Sequence, residues 1–272
     1  MKIAQRPLIA LIVLFILIAL SALGNITISL FSFPINAAIL LLLIGITHVL
    51  FLEARHTKLV KTFMSAYTSV WLIAAVFVCS LVIAFAPDLQ FQHSWIFNSI
   101  LMLLLANLQL VISNYKGAYR KRFYLTHIGL YLFVAGLAFG APDTHKSRAI
   151  VHEGQTIDTA YDLDGHLKPI GFPLTLHRFE ITYYDNKVPR SFMAEVSSGT
   201  DRRVIKVNHP WTRSWKEDIY LVSHGTDKAT NQPYCVLEFI VQPWKHIVHL
   251  GLVMTALGAF LMMLGKKKYN TL

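Results

Sequence analysis

The chain has little cysteine and, over most of its length, almost no acid. Cys79 and Cys235 are its two cysteines, far apart in sequence, so it carries no Cys-x-x-Cys dithiol for thiol–disulfide exchange. Cys-x-x-Cys-His is also missing, which excludes a c-type cytochrome with covalently attached haem. Glu53 and Asp88 are the only acids outside residues 142–242. P-loop, Rossmann, hydrolase, kinase and zinc-site patterns are absent, and the glycines are scattered. Chemistry is therefore sought in the histidines.

What the chain has in quantity is apolar sequence. Of 272 residues, 54% are hydrophobic and only 15% charged, too apolar a balance for a water-soluble protein of this length. A membrane-spanning helix needs roughly 20 mostly apolar residues, because the hydrocarbon core is about 30 Å thick and each residue rises about 1.5 Å. Runs 7–29, 34–52, 63–86, 95–113, 123–141 and 244–264 meet that requirement. The first resembles a signal peptide in having Lys2 and Arg6 ahead of it, but its apolar core is long for one and it is read as a helix.

The bases orient these spans, because cytoplasmic loops retain Lys and Arg. Lys2 and Arg6 precede the first run, and Arg55, Lys58 and Lys61 follow the second. Lys116, Arg120, Lys121 and Arg122 follow the fourth, and Lys266, Lys267 and Lys268 follow the sixth. With six spans, all four clusters fall on one face, which makes both termini cytoplasmic. The formal charge of +10 is thus a topology signal, aided by anionic lipid headgroups, and does not point to nucleic acid.

Apolar runs give way to polar sequence at Pro142, dividing the chain into three parts. Residues 1–141 are expected to hold five spans, 142–242 an extracytoplasmic domain, and 243–272 the sixth span and a basic tail. Inside 142–242, Phe172, Leu174 and Leu176 alternate with Pro173, Thr175 and His177, the pattern of a half-buried strand. Runs 191–196, 203–207, 219–224 and 234–241 are short, rich in Val, Ile and Tyr, and separated by turn residues. An antiparallel β-sandwich or compact sheet fits. The fold class is therefore a polytopic α-helical membrane protein of six transmembrane helices with one extracytoplasmic all-β domain.

Four of the twelve histidines, His48, His127, His246 and His249, lie in or at the edge of spans, where an ionisable side chain is costly and points to function. His127 stands in Thr126-His127-Ile128-Gly129-Leu130 on the cytoplasmic side of the fifth span. It reads either as a neutral imidazole bonded between helices or as an axial ligand to haem iron. Gly129 leaves room for another helix or for a flat ligand. His48, also near a cytoplasmic helix end, is a second candidate ligand at a similar depth. His246 and His249 share a helix face beside Trp244, which suits an interfacial pair more than a metal site. No spacing among the other eight suggests a metal.

Several motifs occur in a shared order. Phe172-Pro173-Leu174-Thr175-Leu176 leads to Phe179-Glu180-Ile181-Thr182-Tyr183-Tyr184, then Val207-Asn208-His209-Pro210, Ile219-Tyr220-Leu221 and Val241-Gln242-Pro243-Trp244, with Gly251 and Gly258 beyond. Upstream are Ser94-Trp95-Ile96-Phe97 and the His127 segment. Over about residues 90–265 this resembles the ResB-like cytochrome c biogenesis family of system II. The resemblance implies a non-catalytic or accessory subunit of a cytochrome c synthase (haem lyase) complex in the bacterial inner membrane. With a CcsA-type membrane partner it would carry haem b, held transiently and non-covalently, across the bilayer for attachment to apocytochrome c. His127 is the position matching the family's haem ligand, with Arg122 and Lys121 placed to meet the propionates. The partner's tryptophan-rich haem-handling segment is absent, so the chain does not complete that reaction alone. The alternatives are a structural assembly factor that presents apocytochrome without binding haem, and a small-molecule permease, which the lack of an inverted repeat disfavours.

Overall fold

A computed structural model describes residues 31–186, 189–227, 230 and 232–264. The first apolar run, 7–29, lies outside them. The chain divides into two compact units, Met1–Pro142 with Trp244–Leu272, and Asp143–Pro243.

The first unit contains α1 (Ile35–Ala54), the short α2 (Lys58–Phe63), α3 (Ala66–Phe85), α4 (Trp95–Asn114), α5 (Arg120–Gly140) and α6 (Lys245–Met263). All but α2 are long and apolar enough to cross a membrane. The starts of α3 and α4 are set by hydroxyl caps: Ser65 accepts the Thr68 amide at 3.2 Å and Ser94 the Phe97 amide at 3.2 Å. Side-chain amides then tie helix to helix, as hydrocarbon offers them no other partner. Asn36 Nδ2 on α1 donates to the Phe139 carbonyl on α5 at 2.7 Å, and Gln109 Nε2 on α4 donates to the Ile44 carbonyl on α1 at 2.9 Å. Asn107 bonds the Phe63 carbonyl and accepts the Ser69 hydroxyl.

Helices α5 and α6 approach closely because glycines face the contact. A Cβ on Gly129 would lie 2.6 Å from the Thr255 nitrogen and 2.8 Å from the Gly251 carbonyl, a gap no side chain fits. The helix thus takes the space that the sequence left open to a helix or a ligand.

The second unit is one antiparallel sheet in the order β5-β4-β3-β2-β1-β8-β7-β6. Its strands are β1 (His145–His152), β2 (Thr156–Asp162), β3 (Leu167–Tyr183), β4 (Pro189–Ser198), β5 (Asp201–Lys206), β6 (Trp211–Ser214), β7 (Glu217–Thr226) and β8 (Pro233–Val241). Each strand sends alternate side chains to the same interior. Val151, Ala160, Leu174, Val196, Ile205, Trp211, Ile219 and Leu237, one from each of the eight, belong to a single buried cluster. β5 also packs against β6 and β7, so the sheet curls until its edges nearly meet, as an eight-stranded sheet does when one face must be filled by side chains. Of the two forms expected, it is the compact sheet. β1 pairs with β8 from His145↔Val241 to His152↔Tyr234, so the unit's first and last strands are neighbours.

Candidate functional site

His127 sits about 10 Å along α5 from Arg120, at 1.5 Å per residue. Its Nδ1 lies 2.9 Å from the Phe123 carbonyl one turn earlier. A carbonyl only accepts, so Nδ1 carries the proton and Nε2 of the neutral ring keeps its lone pair. This is the tautomer in which metal-binding imidazoles are commonly held by an outer hydrogen bond.

The ring is fixed by a column of aromatics. Phe123 stacks on it with centroids 3.8 Å apart and planes at 21°, and Tyr115 stacks on Phe123 at 3.6 Å and 5°. Tyr115 caps the end of α4, and the Tyr124 hydroxyl donates to its carbonyl at 3.3 Å. Stacking covers a face of the imidazole, whereas a metal approaches Nε2 in the ring plane, so the column orients His127 without closing its coordinating atom. Phe123 and His127 are four residues apart on one helix, a spacing visible in the sequence. Tyr115 was not, because a loop lies between it and Phe123.

At about 100° per residue, His127, Arg120 and Tyr131 share one face of α5, while Gly129 and Gly136 face α6 on the other. Arg120, two turns before His127, is therefore the base aligned with it. Lys121 is turned about a quarter of a circle from Arg120, and Arg122 about twice that, with its guanidinium 5.4 Å from the Tyr119 ring centroid. One turn beyond His127, the Tyr131 hydroxyl is buried without a hydrogen-bond partner among the described residues, and so is Gln109 Oε1 on α4. An in-plane imidazole nitrogen and a phenol on the same face, both without a partner among the described residues, with Arg120 aligned at the helix start and Lys121 a quarter-turn from it, form a donor set that fits a haem with its two carboxylates.

His48 shares this depth. Contacts Ser32 to Pro142 and Asn36 to Phe139 show that α1 and α5 run antiparallel, and His48 lies as far beyond Asn36 as His127 lies before Phe139. Its direction differs. His48 is exposed among the described residues, about a third of a turn round α1 from Asn36, and makes no ring contact with His127 there. His246 and His249 are exposed at the start of α6, their rings edge-on at 6.4 Å.

In the β unit, Asp162, Asp164 and His166 come together in the β2–β3 loop and are the one such cluster of metal-ligating types among the described residues. Asp162 already has partners. Lys168 Nζ is 2.9 Å from one carboxylate oxygen, and the other accepts the amides of His166 at 2.8 Å and Asp164 at 3.0 Å. The Lys168 hydrogen bond, with the His166 amide next, holds its pKa down at about 2. The carboxylate organises a turn. Asn208 is likewise a turn residue, with φ +61° between Lys206 and His209, whose backbones bond reciprocally.

Compared with known proteins, residues 106–238 match the ResB-like family, a family associated with cytochrome c biogenesis. The match takes in His127, its aromatic column and the sheet as far as Glu238 in β8. No curated protein matches the chain.

Proposed function

Residues 106–238 are ResB-like, and from that premise we propose that the chain is the haem-handling subunit of a cytochrome c synthase complex in the bacterial inner membrane. It has six spans, both termini in the cytoplasm, and the β unit on the outer side. Haem is cargo, held transiently and non-covalently on its way to a CcsA-type partner that joins it to apocytochrome c. The observation that carries this reading is His127, with Nδ1 tied to the Phe123 carbonyl and Nε2 left for iron. Arg120, aligned with His127 at the start of α5, supplies charge-assisted contacts to the propionates, with Lys121 a quarter-turn away as the second base. His48, at the same depth on α1, is the candidate second ligand.

Its depth near the basic end of α5 suits receipt of haem from the cytoplasmic side. The chain's residues position and release the cargo, and the bond-forming chemistry belongs to the partner. His127→Ala is expected to lower the haem that copurifies with the complex and to lower cytochrome c maturation, with abundance nearly unchanged. Imidazole added to His127→Gly should restore part of both, since a free ligand takes the vacated place on iron. An unaltered haem band and normal maturation in His127→Ala would make His127 a packing residue and favour the haem-free assembly factor. A cytoplasm-active reporter inserted at the Gly199 turn should stay silent, and a signal from it would reverse the proposed orientation.

A further inference from the structure

Helix α1 does not pass straight into α3. Between them α2 makes under two turns, closed by Thr57, whose hydroxyl accepts the Val60 amide at 3.4 Å and donates to the Ala54 carbonyl at 2.7 Å. Val60 is buried, which turns Leu59 outward to 78% exposure. Beside α2 lies an open groove of about 560 Å³ lined by Lys58, Leu59, Thr62, Phe63 and Thr68. Its hydroxyls are partly spent internally, since Thr68 Oγ1 donates to the Thr62 carbonyl at 2.7 Å, and what faces the groove is mainly hydrocarbon.

The rim is cationic and, among the described residues, uncompensated. Lys58 and Lys61, three residues apart and on one side of α2, make no ion pair among the described residues. Arg55 adds a third base, with its guanidinium over Phe51, and Glu53 is the only acid nearby. We propose that this groove is a binding site for one anionic phospholipid, an acyl chain lying along Leu59 and Phe63 and the phosphate meeting Lys58 and Lys61. Free phosphate would use the lysines but leave the apolar walls wet. A zwitterionic lipid would fill the groove and leave the rim's charge unanswered. The site stands apart from haem handling and requires only that α2 border a leaflet.

The test uses the full chain in non-ionic detergent, titrated separately with phosphatidylglycerol, phosphatidylcholine and inorganic phosphate, and followed by native mass spectrometry and thermal melting. Phosphatidylglycerol should bind at least tenfold more tightly than phosphatidylcholine and raise the melting temperature, with no response to phosphate. Lys58→Gln and Lys61→Gln should each weaken it about fivefold, and Lys58→Arg with Lys61→Arg should keep it. Thr62→Trp, which fills the groove at constant charge, should weaken both lipids. A photo-crosslinker at position 59 should label lipid. Equal affinity for the two lipids, a response to phosphate alone, a preference that survives the double glutamine variant, or a crosslink from position 59 to residues 1–30 of the same chain would each overturn the site.

Discussion

Phe123 lies face to face with His127, 3.8 Å between ring centroids, and its carbonyl also holds the histidine's Nδ1. One residue thus fixes both the tautomer, through its backbone, and the ring orientation, through its side chain. Phe123→Leu keeps the backbone bond and removes the stack, which is worth about 0.5–1.5 kcal/mol for an aromatic pair. Under the proposed haem-handling role, the expected outcome is a variant whose haem affinity is lowered several-fold, with altered ligand-field features in its electron paramagnetic resonance spectrum. Full affinity and an unchanged spectrum would mean that the stack does not orient the ligand.

Close packing of α5 on α6 predicts a sharp contrast between two glycines. Gly129→Leu drives a side chain into the Thr255 and Gly251 backbone and should cost about 1–3 kcal/mol or more, read as a lower melting temperature and loss of monodisperse protein. Gly45→Ala meets nothing within 4 Å among the described residues and lies mid-helix, so it should leave stability unchanged or raise it by up to about 1 kcal/mol.

Asp162 titrates at about 2 in the folded β unit, below the ordinary carboxylate value of 3.8. Its ionised form therefore favours the folded loop above that ordinary value, and the contribution fades as pH falls through about 2. In Lys168→Ala the largest cause is removed while the His166 and Asp164 amides remain. Nuclear magnetic resonance of carboxyl-labelled protein should show the Asp162 midpoint moving up part of the way toward 3.8. No movement would transfer the effect to the amides alone.

Cys235 is fully buried on β8, and burial pushes its thiol up to about 12. In a Cys79→Ala background it should resist maleimide at pH 7.5 for hours and react at once in denaturant, because the thiolate is the nucleophile. Rapid labelling of the native protein would show that the sheet opens.

The long helices were legible because lipid demands an unbroken apolar run, and five of the six expected runs correspond to helices within a few residues at each end. The strands were legible in part. β3 announces itself through Phe172, Leu174 and Leu176, whereas β1 turns only Ala149 and Val151 fully inward and shows Lys146, Arg148 and Ile150 outside. β2 buries little beyond Ala160, so neither strand stood out by alternation. At the candidate site, the depth of His127 and His48 could be read from the helix ends. Their facing could not, because it depends on which side of each helix meets a neighbour, and Tyr115 joins the column only through a loop.

The pairing of His145 with Val241 at one end of the β1–β8 ladder makes the β unit an insertion in a helical hairpin. Within the helical unit, a Cβ on Gly140 would meet Trp244 Cβ at 2.6 Å, so α5 and α6 already touch where the hairpin bend would fall. The two helices have no need of the β unit to find each other. Such a chain is open to excision: with residues 144–242 replaced by a short Gly-Ser turn, the remaining helices should still assemble, which would let the proposed haem binding be assayed apart from whatever the sheet contributes.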